Sequence, residues 1–417
     1  MLDTSSQLDQ LLSDPWSVPL EELDPSFGEL FLHQKHHAVF RRLREEDPVH
    51  LTPDSMFGRY WSITKFKDII EIETDHGRFS SEPSIVIGDL DENFRTEMFI
   101  AKDPPVHDVQ RRAAQPAVAP QRLSELEAVI RERVCAILDD VPINEEFNWV
   151  DQVSRELTVQ MLAILFDFPF EDRHLLTKWS DAATTSEQTG AVGVDEEARK
   201  ATLMEAHDYF LELWNERAAA EPKFDFLSLM AHDPNTKDLP NNPMEFLGNL
   251  ILLIVGGNDT TRNSISGGLV ALNENPGEYD KLRANLDVIP NMVSEIIRWQ
   301  TPLSHMRRLA KEDVEFHGKQ ILKGDKVVLW YCSGNRDSEV LKDPDTFQID
   351  RARARQHVAF GFGIHRCMGN RTAEMQLRIL WEEIMKRFDH VEVVGEPVRV
   401  LSNFVNGFDD VPVRITA

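Results

Sequence analysis

Phe360-Gly361-Phe362-Gly363-Ile364-His365-Arg366-Cys367-Met368-Gly369 sets one cysteine among three glycines, and Asn370-Arg371-Thr372-Ala373-Glu374 opens a polar, helix-forming stretch directly after it. Glycines permit backbone conformations closed to other residues, so Gly361, Gly363 and Gly369 are expected to let amide N–H groups converge on one point. A cysteine just ahead of a helix N-terminus and beside Arg366 is expected to have a lowered thiol pKa, which readies its sulfur for a metal. An isolated cysteine is more often a small buried hydrophobe than a ligand. The glycine-rich setting is what turns the reading of Cys367 toward ligation.

Outward from this loop, composition fits an enzyme of a reducing, cytoplasmic compartment. The 417 residues contain three cysteines, Cys135, Cys332 and Cys367, too few and too scattered for a disulfide framework. Met1-Leu2-Asp3-Thr4-Ser5-Ser6 has acid and hydroxyl groups where a signal peptide needs basic and then apolar residues. The longest strongly apolar run, Leu250 to Val255, falls far short of the roughly 18 residues that span a bilayer, so no membrane anchor is expected. Forty-five basic against 71 acidic residues give a net charge of −26, which argues against nucleic acid as a partner. Against that background, Arg351, Arg353, Arg355, His357, His365, Arg366 and Arg371 form a stretch without a single acid. Such an island is read either as internal ion pairing or as a docking face for an acidic electron donor.

Neither a repeat, a low-complexity tract nor a Pro/Ser/Gly-rich linker divides the chain, so one continuous domain over 1–417 is expected. A helix is predicted over Phe31 to Glu46, ended by Asp47-Pro48. Val49 to Leu51 and Tyr60 to Thr64 read as a hairpin, and Lys65 to Asp75 as a helix. From Pro120 to Leu272 apolar residues recur at helical spacing, as in Leu123, Leu126, Ile130, Val134 and Ile137. Short strands return at Val314 to Phe316, Gln320 to Leu322, Lys326 to Leu329 and Val391 to Val394. The sum is a mainly α protein with small β-sheets.

A long helix from near Pro243 to Asn273 is anomalous in its middle. Gly256 and Gly257 each cost about 1 kcal/mol relative to alanine in a helix, and Asn258-Asp259-Thr260-Thr261 follows a six-residue apolar run. Thr260 is expected to open the hydrogen-bond ladder into a widened turn beside a small ligand. In Glu295-Ile296-Ile297-Arg298 the two charges share one helix face, by default an ordinary surface pair. In Asp103-Pro104-Pro105-Val106-His107-Asp108-Val109-Gln110-Arg111, prolines precede a helix that places His107 and Arg111 four apart.

The spacing Phe-x-x-Gly-x-His-x-Cys-x-Gly resembles the haem-binding loop of the cytochrome P-450 family, the haem-thiolate monooxygenases. Gly256-Gly257-Asn258-Asp259-Thr260-Thr261 resembles that family's distal-helix motif, Glu295-x-x-Arg298 its structural ion pair, and Asp103-Pro104-Pro105-x-His107-x-x-x-Arg111 its propionate-binding motif. These motifs span residues 103 to 369 in the family's order. The resemblance implies a single cytochrome P-450 fold, a triangular prism-like helical domain with a smaller β-rich part, binding haem b (iron protoporphyrin IX). By it, Cys367 is the proximal iron ligand, presented by Phe360 and Gly361. Asp259 and Thr260 manage proton delivery on the distal side, where Gly256 and Gly257 leave room for O2. His107, Arg111, Arg308 and His365 bind the propionates, and Arg351 completes the Glu295–Arg298 pair. The pocket is expected to include Leu252, Val255, Leu303, Met306, Phe404 and Val405, with the segment Ile85 to Ile100.

An apolar pocket selects hydrophobic chains by burial and discriminates weakly between substrates of similar size, and the wording around Cys367 and Gly256 resembles the bacterial alkane and fatty-acid terminal hydroxylases. The expected reaction is hydroxylation of the terminal carbon of a medium-chain alkane or fatty acid. Electrons are expected from an iron–sulfur ferredoxin and its reductase, because no flavin-binding or nicotinamide-binding unit is legible; Gly361-x-Gly363 lacks the third glycine of a dinucleotide loop. The alternatives are a hydroxylase of a terpenoid or steroid at a non-terminal carbon, and a haem sensor or carrier without turnover. A carrier has no use for the Asp259-Thr260 pair.

Overall fold

The helix Pro243–Glu274 runs through the middle of the computed structural model, which describes residues 4–416. Pro243 occupies its first turn and the Asn242 side chain accepts from the Glu245 N–H, a proline-plus-cap start that satisfies an otherwise orphan donor. Nearly all of its residues from Phe246 to Leu272 are buried, as expected of a helix covered on most sides. Around it pack the helices Glu156–Phe166, His174–Thr184, Glu196–Ala219, Ile289–Gln300 and Asn370–Arg387. The main core includes Trp149, Phe166, Trp179, Phe210, Leu250, Ile254, Leu269, Ile296 and Trp381, all at most 1% exposed.

A five-stranded sheet lies apart from this helical core. Its order is Val49–Thr52, Tyr60–Ile63, Lys326–Trp330, His305–Ala310 and Phe79–Ser80. Val49 pairs with Ile63 in the predicted hairpin, Tyr60 runs parallel to Lys326, and Arg308 lies antiparallel to Val327. Smaller sheets form from Val314–Phe316 with Lys319–Ile321, and from Glu146–Asn148, His390–Val393 and Pro412–Thr416. Each late strand forms within a residue or two of its predicted place.

Three expectations about the backbone are corrected. The single helix over Phe31 to Glu46 is two, Gly28–Leu32 and His36–Glu46, because Gln34 adopts φ 55°. The Gln34 backbone and side-chain nitrogens both donate to the Phe31 carbonyl, at 3.1 and 2.7 Å, and so satisfy a helix end that the apolar pattern gave no sign of. The central helix is α-helical throughout and does not widen at Thr260; the π-helical turn lies instead at Val150–Arg155, packed against it. Of the loop glycines, Gly361 (φ 63°) and Gly363 (φ 66°) occupy the left-handed region, whereas Gly369 has φ −90° and serves as the N-cap position of Asn370–Arg387. At Gly363 a Cβ would also stand 2.4 Å from the Glu73 carbonyl oxygen, so no other residue fits there.

Candidate active site

Between the cysteine loop and the middle of the central helix lies a cavity of about 320 Å³. Cys367, Phe360, Gly361 and His365 bound it on one side; Gly256, Gly257 and Thr260 bound it on the other. Leu252, Val255, Leu303, Met306 and Phe404 line it as predicted, and the segment Ile85 to Ile100 contributes Ile85, Val86, Leu90, Phe94, Met98, Phe99 and Ile100. Val405 does not line it. That residue is 3% exposed and bridges Leu303 through the backbone instead.

The loop holds its cysteine through local bonds. Cys367 N–H donates to the Phe360 carbonyl at 2.8 Å, and Gly361 N–H to that of Val358 at 2.8 Å. The side chain is open to the cavity yet deep within protein, and burial pushes the thiol pKa up. Backbone N–H groups of Gly369 and Asn370 and the charges of Arg111 and Arg366 oppose that push without overcoming it. The expected lowering is therefore corrected: helix N-terminus and arginines are present, but desolvation outweighs them. A coordinated cation reverses the balance, since it deprotonates a thiol outright.

Across the cavity, the Thr260 hydroxyl donates to the Gly256 carbonyl at 2.8 Å, a back-bond within one helical turn. A Cβ at Gly256 would meet nothing within 4 Å, whereas one at Gly257 would stand 2.6 Å from Leu162 Cδ2. Gly256 thus leaves open space; Gly257 admits a neighbouring side chain. Asp259 is fully buried and is not on the cavity wall. Its carboxylate meets Arg262, with Ser180 Oγ donating at 2.9 Å and Asn258 Nδ2 at 3.4 Å. Burial raises the Asp259 pKa, countered chiefly by Arg262, which also reaches Asp181 at 2.9 Å. Thr184, whose hydroxyl donates to the Ser180 carbonyl at 3.0 Å, does line the cavity. Arg262, Asp181, Ser180 and Thr184 were not predicted, because they come from a different helix or lie outside the motif.

At the cavity's other margin Arg111, Arg308 and His365 converge. Arg111 Nη2 donates to the Arg366 carbonyl at 2.5 Å, and Arg308 Nη2 to Glu73 Oε1 at 3.1 Å. Both ring nitrogens of His365 are buried without a partner. Its pKa falls to about 2, through burial first and then the charges of Arg308 and His107. His107 stands behind it, off the cavity wall, its ring edge-on at 4.3 Å; Nδ1 meets Asp108 Oδ1 at 2.8 Å and Nε2 has no partner. Two guanidinium groups beside unpartnered buried nitrogens are a site short of anions. The two carboxylates of haem fit it, with Cys367 placed to meet the iron.

Glu73 was missed. It is 2% exposed, lines the cavity, and accepts from Arg308, the Tyr331 hydroxyl and the Phe362 N–H, tying three elements together at the loop. A signal existed: Glu73 stands in the apolar stripe Phe66, Ile69, Ile72 of its helix, where a charge needs a buried partner. Glu295, Arg298 and Arg351 do meet, but in the core rather than at the surface. Arg298 Nε and Nη2 donate to the two Glu295 oxygens at 2.7 and 2.8 Å, and Arg351 Nε donates to Oε2 at 2.9 Å.

Comparison with known proteins agrees with this arrangement. The family model described as cytochrome P-450 matches residues 19–406. Linalool 8-monooxygenase of Pseudomonas putida is 36% identical over 405 residues, covering 94% of this chain and 99% of that protein. Methyl-branched lipid omega-hydroxylase of Mycobacterium bovis is 30% identical over 402 residues, covering 90% of each. Among solved structures, CYP153D17 from Sphingomonas sp. PAMC 26605 is 46% identical with a TM-score of 0.89, over 94% of this chain and 99% of that one. A cytochrome P450-153 from Novosphingobium aromaticivorans is 43% identical with a TM-score of 0.89, over 96% and 99%. A family model covering most of the chain, relatives matched nearly end to end and the same fold lead to one conclusion: the chain belongs to the cytochrome P-450 family, the haem-dependent monooxygenases.

Proposed function

We propose that this monooxygenase hydroxylates the terminal carbon of a medium-chain aliphatic substrate, an alkane or a fatty acid, with electrons delivered in the cytoplasm by an iron–sulfur ferredoxin and its reductase. The observation that carries this reading is the cavity wall: Leu252, Val255, Leu303, Met306, Phe404 and the 85–100 segment give a chain of methylenes apolar contact up to the cysteine loop. Burial favours such a chain by about 25 cal/mol per Å² of apolar surface. The likeness to a methyl-branched lipid omega-hydroxylase supports the same substrate class.

Haem, when bound, supplies dioxygen activation, driven by electron density from an anionic sulfur. Cys367 Sγ is the ligand in this reading, held in place by the Phe360 carbonyl and the glycine turns. Arg111, Arg308 and His365 take the propionates, with His107 packed behind. Thr260 presents its hydroxyl to the cavity, where it would exchange the Gly256 carbonyl for a cavity acceptor, give that acceptor its proton and be reprotonated from behind. Asp259, off the cavity wall and bonded to Ser180 Oγ, would replenish that proton indirectly.

A second reading, hydroxylation of a terpenoid in place of an unbranched chain, is favoured by the likeness to linalool 8-monooxygenase. Incubating the purified holoenzyme with alkanes, fatty acids and terpenes and a surrogate redox pair decides between them. Terminal alcohols are the expected products; exclusively non-terminal or cyclic products would overturn the first reading.

A further inference from the structure

Charge along the cavity wall is distributed unevenly. Glu73, Arg111, Arg308 and His365 all cluster beside the cysteine loop, with Glu73 bonded to Arg308 and His365 directly before Arg366 and Cys367. Arg199 is the remaining charged lining residue, and it belongs to another region. It sits in the first turn of the helix Glu196–Ala219, and Leu203, one turn on and on the same face, also lines the cavity. The next residue, Lys200, reaches Asp91 at 2.9 Å, beside the cavity-lining Leu90. Arg199 therefore marks the outer end, where this helix meets the 88–96 segment.

Its guanidinium is enclosed but incompletely used. The side chain is 11% exposed, and Nε donates to Glu196 Oε2 at 2.7 Å. Nη1 and Nη2 make no hydrogen bond among the described residues. Nearby acids do not claim them: Asp91 pairs with Lys200, and Glu197, whose side chain is 90% exposed, also lies by Lys200. Planar donors left free at the end of an apolar tunnel suit a carboxylate, which arginine binds in fork geometry.

Resting on the terminal-hydroxylation reading, we infer that Arg199 is a carboxylate anchor: the enzyme's preferred substrate is a fatty acid, held by its acid group at the outer end so that its last carbon lies at the cysteine end. Glu196 keeps Nε and steers the Nη edge toward the acid. An alkane offers Arg199 nothing and is bound by apolar burial alone, so the anchor ranks acids above alkanes and above esters of equal length.

Optical substrate titration of the holoenzyme with dodecanoic acid, methyl dodecanoate and dodecane tests this, with the hydroxyl position in each product determined by mass spectrometry. Wild type is expected to bind the acid about tenfold or more tighter than the ester, the range of a charge-assisted hydrogen bond. Arg199→Leu should bring that ratio close to one without weakening ester binding, Arg199→Lys should retain part of it, and Glu196→Gln, which keeps an acceptor for Nε but removes the competing negative charge, should increase it. Equal binding of acid and ester by wild type, or an unchanged ratio in Arg199→Leu, overturns the anchor. Should Arg199→Leu fail to hold haem, Glu196→Gln decides, and a ratio no larger than wild type's overturns it. Hydroxyl position reports on the other reading separately: acid preference with non-terminal products upholds the anchor and sinks terminal hydroxylation, whereas terminal products without acid preference do the reverse.

Discussion

Thr260 and Asp259 are adjacent in the chain but turn to different surroundings. The threonine faces the cavity and the aspartate is enclosed by Arg262, Ser180 and Asn258. Neighbours on a helix are about 100° apart, so a motif that names both says nothing of which one faces the ligand. A division of labour follows, with Thr260 as the last donor and Asp259 as the carboxylate behind it, which takes up a proton and passes it on. Thr260→Ala removes the only hydroxyl of the central-helix turn that is bonded to the Gly256 carbonyl. Product formed per electron pair is expected to fall about tenfold or more while hydrogen peroxide rises, with substrate affinity unchanged. Measuring product and peroxide against cofactor consumed checks this, and unaltered coupling would remove Thr260 from the proton path. At Cys367 the sequence marked a residue that lines the cavity and mistook its resting electrostatics, because burial depends on everything packed around the loop.

The strand His305–Ala310 brings Met306 and Arg308 to the cavity and is pinned at its start by His305. Within that ring, Nε2 accepts from the Ile87 N–H at 3.2 Å, which leaves Nδ1–H to donate to the Asn403 carbonyl at 3.1 Å. A protonated imidazole has two donors and would turn one against Ile87 N–H. Burial accordingly lowers the His305 pKa to about 3. The unfolded chain binds a proton near pH 6.5 and the folded one does not, so stability from this residue is complete above 6.5 and is lost as pH falls toward 3. His305→Gln should therefore flatten the pH dependence, with wild type losing roughly 2 kcal/mol more than the variant between pH 7 and pH 5. Denaturant unfolding at the two pH values measures it, and parallel profiles would refute it. Elements, more than single residues, also decided the ion pair: helix Ile289–Gln300 carries Glu295 and Arg298, yet only packing against residues 335–351 buries them. Loss of one partner in such a core costs about 3–5 kcal/mol, whereas the surface pair read from the sequence contributes under about 1 kcal/mol.

Over the whole molecule, a net charge of −26 coexists with an arginine cluster on the cysteine-loop side. Arg351, His357 and His365 drop out of the island that the sequence offered, because all three are buried. Arg353, Arg355, Arg366 and Arg371 remain exposed, and Arg112 is exposed as well. A positive face on an acidic protein steers an acidic partner to one orientation. The double reversal Arg355→Glu with Arg371→Glu is expected to lower ferredoxin-dependent turnover about tenfold and weaken its salt dependence, leaving optical substrate titration unchanged. Turnover against ionic strength, for wild type and variant, tests whether the proposed ferredoxin docks there, and unchanged turnover in the variant would refute it. The sequence by itself determined the family's motifs: Cys367 with its glycines, the polar stretch from Gly256 to Thr261 and Glu295-x-x-Arg298 are each contiguous, and local spacing carries them. Only the tertiary structure decided what faces what. Glu73 at the loop, Ser180 on Asp259, Val405 off the cavity and Arg199 at its outer end come from segments far apart in the chain. Their juxtaposition is set by how helices and sheet bury one another, which no local pattern encodes.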